Sequence, residues 1–193
     1  MRELHDVLQR SAGRRWKRNL PLEEFVFDRW ERARRLGFGQ RASIYYNTYV
    51  YGNVTVGEGT WIGPFVLLEG SAGIRIGRFC SVSAGVHIYT HDSVKWALSG
   101  GTADYERAPV TIGDCCYIGS QSIVARGVTI GHHSIIGAGS FVNRDIPSYS
   151  VAAGSPCKVI GRVQIRGGTI TLVPRPSGAR KKSPRKTSRK VRT

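Results

Sequence analysis

The sequence predicts an all-β solenoid, because one six-residue pattern recurs thirteen times between Val50 and Val142. An apolar residue occupies every sixth position, a glycine usually follows it, and a small or branched residue usually stands four places after it. Each hexad therefore corresponds to one short strand and one turn, whose single inward face only the next coil can bury. The apolar positions are Val50, Val56, Ile62, Leu68, Ile76, Val82, Ile88, Ile112, Ile118, Val124, Ile130, Ile136 and Val142.

Two interruptions divide this repeat. A two-residue slip lies at 70–73, and a longer gap separates Ile88 from Ile112. Of the three hexad positions inside the longer gap, only Val94 suits an inward strand residue. We therefore expect the segment 89–109 to leave the solenoid as a loop that is held at both ends by rigid coils, where functional residues are often placed.

The segment before the repeat is predicted to be helical and to cover the first coil. Apolar residues from Leu22 to Leu36 follow helical spacing, Pro21 suits a first helical turn, and Gly37 can end the helix. A shorter helix is expected around Leu4 to Leu8. Both helices are interpreted as structural caps.

Positive charge is concentrated at the C-terminal end. The formal net charge is +16, and residues 174–193 contain nine Lys or Arg and no acidic residue. A segment so basic and so poor in apolar residues is predicted to be disordered, either as a plain solvated terminus or as a weak contact for anionic lipid or nucleic acid. The chain thus divides into a helical segment 1–43, a solenoid 44–162 with its loop, an extension 163–173 and a basic tail.

Composition disfavours a membrane span and a disulfide framework. No segment approaches the ~20 uninterrupted apolar residues that a spanning helix needs, and the N-terminal region lacks an apolar signal core, so a cytoplasmic location is expected. Cys80 and Cys116 occupy the small inward position of their hexads, and Cys115 and Cys157 complete no C-x-x-C spacing. Reduced thiols and no bound metal are expected.

Five strings, taken in order, resemble one enzyme family. T-H-D at Thr90–Asp92 precedes the insertion, P-V-T-I-G-D and Y-I-G-S lie within Pro109–Ser120, I-G-A-G-S-F-V-N-R-D-I-P spans Ile136–Pro147, and A-G-S-P-C-K-V-I spans Ala153–Ile160. This order is similar to that of the hexapeptide-repeat acyltransferases, which use acetyl-CoA and fold as a left-handed parallel β-helix with three hexads per coil. The resemblance covers roughly residues 44–162. It implies a little over four coils and a homotrimer with active sites between neighbouring solenoids.

The resemblance implies that His91 is the general base. An imidazole titrates near neutral pH and can take the proton that an acceptor hydroxyl or amine loses as it attacks a thioester. His87 is the alternative base, although it lies within a strand of the repeat. His132 and His133 fall at an outward corner and are expected to be exposed. Asp92 is the candidate for orienting the His91 ring.

The resemblance also assigns substrate-binding residues. The positions that match the family's coenzyme contacts are Ser120, Ala138, Asn143, Arg144 and Lys158, although simple filling of a hexad would also account for Ser120 and Ala138. In the loop, Asp92, Lys95, Trp96 and Tyr105 are candidates for an acceptor pocket; packing of the loop on itself is the alternative.

One position departs from the family pattern. Some relatives carry an arginine three places after the residue that Lys158 matches, whereas Gly161 stands there in this chain and Arg162 follows. A phosphate contact from Arg162 is therefore only a hypothesis.

The expected function is transfer of an acetyl group from acetyl-CoA to a sugar or nucleotide-sugar. Strings at Gly37–Gly39, Ser43–Tyr45, Trp61–Phe65 and Tyr89–Gly101 resemble acyltransferases of surface-polysaccharide and nucleotide-sugar pathways.

Two alternatives remain open. The first is a non-catalytic trimer whose basic tail binds membrane or, less expected, nucleic acid. The second is a γ-type carbonic anhydrase with zinc held by His87, His91 and His132 or His133.

Overall fold

A computed structural model describes residues 3–4, 6–10 and 23–175 of the chain. Residues 3–4 and 6–10 are helical. The other helices are α1 (Glu23–Val26), α2 (Arg29–Arg35) and α3 (Val94–Leu98). The strands are β1 (Ser43–Ile44), β2 (Tyr49–Val56), β3 (Trp61–Ile62), β4 (Leu67–Ile76), β5 (Ser81–Val82), β6 (His87–Tyr89), β7 (His91–Asp92), β8 (Glu106–Arg107), β9 (Val110–Ile112), β10 (Tyr117–Ile118), β11 (Ile123–Val124), β12 (Thr129–Ile130), β13 (Ile135–Ile136), β14 (Phe141–Val142), β15 (Ser150–Ala153), β16 (Lys158–Arg166) and β17 (Thr169–Pro174).

Parallel ladders form the three faces of a solenoid. The first face contains β1, β3, β5, β10, β13 and β15. The second face joins the first half of β2 and of β4 to β6, β11 and β14, and the third face joins the second halves of β2 and β4 to β9 and β12. Ile44 pairs with Ile62, 18 positions further along, so each undisturbed coil holds three hexads. The predicted hexapeptide solenoid is confirmed.

The interior of the solenoid consists of the hexad residues that the sequence singles out. Twelve of the thirteen apolar positions are buried, and Val50 is partly buried against the same core. The small positions four residues later are buried as well, from Thr60 to Ser140. Within the predicted solenoid 44–162, the repeat also continues beyond the hexads counted from Val50 to Val142, through Ile44 at one end and Ile146 and Ala152 at the other. The solenoid therefore has about six coils instead of a little over four.

The predicted helix over 22–36 is broken into α1 and α2. Asp28 causes the break, because its Oδ1 accepts hydrogen bonds from the backbone amides that begin α2, each at 2.8 Å. Ala33 is the buried residue of α2. The guanidinium of Arg32 donates to backbone carbonyls at the first corner, including that of Thr48 at 2.6 Å. This arginine joins the N-terminal segment to the first coil by hydrogen bonds, while Ala33 packs against the core.

A hairpin follows the last coil. β16 pairs antiparallel with β15, and β17 pairs antiparallel with β16, which extends the first face beyond the solenoid. The predicted basic tail begins inside β17, since Pro174 ends that strand. The remainder of the tail, 176–193, lies outside the described residues. None of the described helices is both long enough and apolar enough to cross a membrane.

Candidate functional site

The long interruption of the repeat forms an excursion from one corner. Ile88 lies on the second face and Ile112 on the adjoining third face, so the chain between them leaves the solenoid and returns without completing a coil. β7 and β8 form the base of the excursion as an antiparallel pair, with His91 opposite Arg107. Helix α3 lies between these two strands in the sequence. His91 therefore stands on the first strand of the excursion, beside the rigid coil.

His91 is held by Glu69, which belongs to the preceding coil. The Nδ1 atom of the imidazole lies 2.6 Å from Oε2 of Glu69. The His91 side chain is 30% exposed and that of Glu69 is 12% exposed, so the ring reaches solvent while the carboxylate lies behind it. Nε2 makes no hydrogen bond within the described residues. A carboxylate at Nδ1 fixes that nitrogen as the protonated one and leaves Nε2 with its lone pair.

Glu69 is ionised despite its burial. Burial by itself would raise its pKa, but hydrogen bonds from Ser71 and His91 and from the backbone amides of Ser71 and Thr90 outweigh burial and hold the pKa at about 2. The Thr90 hydroxyl lies 3.1 Å from Oε2. A permanent negative charge thus faces the His91 ring and stabilises an imidazolium when one forms.

The two-residue slip of the repeat builds the rest of this contact. β2 and β4 lose register between Gly52 and Val54, where the extra residues of β4 are accommodated. These extra residues approach the excursion: the backbone amide of Ala72 donates to the Thr90 hydroxyl at 3.0 Å, and the Ser71 hydroxyl lies 3.5 Å from Nδ1 of His91. The slip and the excursion therefore meet at one corner.

Aromatic side chains of the excursion adjoin His91. The Tyr105 ring stacks on the imidazole with centroids 5.7 Å apart and planes inclined by 10°. Trp96 meets Tyr105 edge-on at 5.8 Å. Both rings are partly exposed, at 44% for Trp96 and 36% for Tyr105. Two of the predicted acceptor residues thus lie in a row with the predicted base.

The other two predicted acceptor residues hold the excursion in place. Arg126, on the next coil, donates from Nε to Oδ2 of Asp92 and from Nη2 to Oε2 of Glu106 at 2.8 Å. Lys95 pairs with the other oxygen of Glu106, also at 2.8 Å. The hydrogen bond from Arg126 lowers the pKa of Asp92. Asp92 therefore stabilises the position of the strand that carries His91. The expectation that Asp92 orients the imidazole is wrong, because Glu69 is the carboxylate that lies at Nδ1 of His91.

The predicted coenzyme residues lie on two corners of the solenoid and on the hairpin that follows it. Ser120 and Ala138 follow strands of the first face and stack at its corner with the second face, so tightly that a Cβ on the neighbouring Gly119 would come 2.5 Å from the Ala138 amide nitrogen. Asn143 and Arg144 follow β14 at the corner that also bears His91, two rungs further along. Lys158 begins β16. The second face therefore separates Ser120 and Ala138 from His91 within one chain.

The remaining histidines have other surroundings. His87 lies on the second face with its Nδ1 3.2 Å from the Tyr89 hydroxyl. His132 is exposed and accepts a hydrogen bond from the Asp114 amide, and the ring of His133 stacks on Tyr149 at 4.8 Å. His132 and His133 share the corner between the third and first faces. Within the described residues, no three His, Cys, Asp or Glu side chains are grouped to hold a metal ion.

Comparison with known proteins identifies the repeat. The model of the bacterial transferase hexapeptide (six repeats) matches residues 109–144. A galactoside O-acetyltransferase from Escherichia coli K12 is 36% identical over 132 residues. The chain carries the hexapeptide repeat of bacterial transferases and is similar to acetyltransferases of the hexapeptide-repeat family. The family resemblance that the sequence motifs indicate is thereby confirmed.

Solved structures of hexapeptide-repeat transferases share the fold. A maltose O-acetyltransferase from Clostridium difficile 630 is 29% identical with a TM-score of 0.63, over 84% of this chain and 89% of that one. An acetyltransferase from Vibrio cholerae, complexed with acetyl coenzyme A, is 26% identical with a TM-score of 0.65, over 81% and 87%. The match to the galactoside O-acetyltransferase covers 58% of this chain and 65% of that protein, a little less than two thirds of its length.

Proposed function

We propose that this protein transfers an acetyl group from acetyl-CoA to a hydroxyl or amino group of a sugar or nucleotide-sugar, with His91 as the general base. The observation that carries the proposal is the His91–Glu69 pair, 2.6 Å apart, at the foot of an excursion in a hexapeptide-repeat transferase. Relatives named as galactoside and maltose O-acetyltransferases support the reaction and the sugar acceptor.

The dyad provides the proton transfer. Nε2 of His91 accepts the proton of the acceptor group while that group attacks the thioester carbonyl carbon. The C–S bond then breaks, and the proton passes from the imidazolium to the departing thiolate. Glu69 stabilises the imidazolium in between, because its carboxylate remains ionised at working pH. No acyl-enzyme is needed, so neither a cysteine nor a serine nucleophile takes part.

The aromatic row favours a ring-shaped acceptor. Tyr105 stacks on His91 and Trp96 meets Tyr105, so exposed aromatic surface continues from the base into the excursion. A sugar ring that packs against this surface would place one of its hydroxyl or amino groups at Nε2. In this proposal Trp96 and Tyr105 bind the acceptor, while Asp92 and Lys95 keep the excursion in position through Arg126 and Glu106.

The coenzyme is proposed to bind between two copies of the chain. Ser120 and Ala138 are separated from His91 by the second face, whereas Asn143 and Arg144 share the corner with His91. In an assembly of two or more copies, Ser120 and Ala138 of one solenoid and Asn143 and Arg144 of its neighbour would contact the same acetyl-CoA. Arg144 and Lys158 are exposed and can meet the phosphate charge of the coenzyme. A homotrimer is therefore part of the proposal, together with a cytoplasmic role in surface-polysaccharide biosynthesis.

The test is a thiol-release assay with acetyl-CoA and a panel of galactosides, maltose and nucleotide-linked amino sugars. We expect release on at least one acceptor, and a loss of roughly 10²–10⁴-fold in kcat for His91→Ala, which removes the base. His87→Ala is the matched control, since this imidazole lies on the neighbouring strand and should leave turnover within a small factor. Acetyl-CoA binding, measured by calorimetry, should survive in both variants.

Three outcomes would contradict the proposal. Absence of both coenzyme binding and turnover would contradict the acyltransferase. Turnover that is unchanged in His91→Ala but lost in His87→Ala would reassign the base. A monomer in light scattering that is fully active would contradict the shared site. We also expect activity to persist when residues 176–193 are removed. The alternative function, a non-catalytic protein that binds through its basic tail, requires that segment.

A further inference from the structure

The hairpin of β16 and β17 carries an apolar face that is exposed near its turn. Directly opposed residues of antiparallel strands share a face, and side chains alternate along each strand. Val163 lies opposite Leu172, and Ile165 lies opposite Ile170. Val163 is buried at the base, whereas Leu172, Ile165 and Ile170 are 53%, 42% and 66% exposed. The part of this face near the hairpin turn is therefore exposed and available for contact with a partner.

The opposite face of the hairpin is cationic. Arg162 and Arg166 lie on it together with Gln164, Thr169, Thr171 and Val173, and all six are exposed. The charge continues along the sequence. After Asp145 the chain contains twelve Lys or Arg and no acidic residue. The hairpin thus combines an apolar face, a basic face and a strongly basic continuation.

We propose that the hairpin docks the protein on an anionic lipid surface. The apolar face would enter the boundary between headgroups and acyl chains, while the exposed Arg162, Arg166 and Arg175 meet the lipid phosphates. The same division into an apolar and a cationic side lets amphipathic helices lie in a membrane interface. Clustered Lys and Arg are attracted to anionic headgroups and are screened by salt.

Charge argues against two other occupants. A second copy that stacked its own hairpin on this face would bring together two segments that both lack acidic residues. Nucleic acid would attract the arginines through its phosphates, but phosphate contacts gain nothing from Ile165, Ile170 and Leu172. An anionic lipid surface uses both features. This proposal does not depend on the acetyl transfer proposed above.

The experiment is flotation of the full chain with phosphatidylcholine vesicles that contain or lack phosphatidylglycerol. We expect binding to the anionic vesicles alone, weakened at high salt. A variant with Ile165→Ser, Ile170→Ser and Leu172→Ser should lose at least about tenfold in partitioning, since three apolar side chains no longer leave water. The matched control is Gln164→Ala with Thr171→Ala, an opposed pair on the other face, which should bind as the wild type does.

Companion measurements separate loss of docking from loss of folding. Thermal melts and light scattering should show that the triple variant keeps the stability and mass of the wild type. Ile170→Trp should bind the anionic vesicles more tightly and shift its added fluorescence to shorter wavelength. Equal binding of the wild type and the triple variant to anionic vesicles would overturn the proposal. It would show that charge alone accounts for the binding, as in a contact with nucleic acid. Equal binding to neutral vesicles, or a changed mass of the triple variant, would also overturn it.

Discussion

Glu69 holds the imidazole of His91 from the preceding coil: Oε2 lies 2.6 Å from Nδ1, although 22 positions separate the two residues in the sequence. The carboxylate is largely buried and the imidazole partly exposed. This arrangement fixes the orientation of the ring and directs Nε2 away from the carboxylate.

Substitution of Glu69 should reduce turnover more than coenzyme binding. In Glu69→Gln the amide oxygen can still accept from Nδ1, but the negative charge that stabilises the imidazolium is lost. We expect kcat to fall about tenfold to a hundredfold, less than when the base itself is removed. Steady-state kinetics with acetyl-CoA would measure it. Glu58→Gln is the control, because Glu58 pairs with Arg41 at another corner; an equal loss in both variants would contradict a specific role for Glu69.

Stability should depend on pH through the same carboxylate. Because the pKa of Glu69 in the folded protein is about 2 and its ordinary value is 4.5, ionised Glu69 stabilises the fold above pH 4.5, and this contribution is lost as pH falls toward 2. The difference in unfolding free energy between wild type and Glu69→Gln should shrink by roughly 1–2 kcal/mol between about pH 6 and 3. Urea denaturation at several pH values would measure it. A difference that stays constant over this range would argue against the low pKa.

Arg126 should act as a positioning residue for the excursion. It joins Asp92 on β7 to Glu106 on β8, so Arg126→Ala should free the strand that carries His91 and lower kcat/KM by about tenfold. Arg126→Lys should restore only part of the activity, since an ammonium cannot bridge both carboxylates with the same geometry. Limited proteolysis within the excursion should increase in parallel.

The control for Arg126 is another ion pair between coils. Arg78→Ala breaks the pair with Asp114 at the corner between the third and first faces and should leave kcat/KM unchanged. Equal losses in Arg126→Ala and Arg78→Ala would point to general destabilisation instead of positioning.

The ring of Tyr105 should matter more than its hydroxyl. Tyr105→Phe keeps the stack on His91 and should retain most activity, whereas Tyr105→Ala should raise KM for the acceptor by roughly twofold to tenfold, the range expected for one aromatic contact. Kinetics with the sugar varied at saturating acetyl-CoA would measure both. A larger effect in Tyr105→Phe than in Trp96→Ala would instead assign the hydroxyl a direct role.

The buried thiols should be replaceable by serine. Sγ of Cys116 donates to the Gly131 carbonyl at 3.2 Å, and at equivalent positions Thr60 and Ser122 donate through hydroxyls to corner carbonyls at 2.7 and 3.0 Å. Cys116→Ser should therefore change stability by no more than about 1 kcal/mol. Cys116→Leu should cost about 1–3 kcal/mol through overpacking. Thermal melts would compare them, and a serine variant that is less stable than the leucine variant would refute the equivalence.

The site was only partly predictable. His91, Trp96 and Tyr105 could be chosen because they stand in the segment that breaks the repeat. Glu69 could not be assigned to His91 from sequence neighbours, among which Asp92 was the obvious acid. Two signals did mark it: Glu69 takes the place where a glycine usually follows the apolar residue, and it immediately precedes the slip at 70–73.

The sequence by itself determined the solenoid, because the hexad period is local: each apolar residue from Ile62 to Val142 requires an inward position, and stacking is the one way to bury it. The excursion was likewise visible as a failure of that period. Only the tertiary structure decided that Glu69 faces His91, that Asp92 faces Arg126, and that Ser120 lies across a face from His91. Such pairings join different coils. They depend on the register in which the coils stack and on the direction in which inserted residues leave a corner. Side-chain packing determines this register and this direction, and the six-residue period does not.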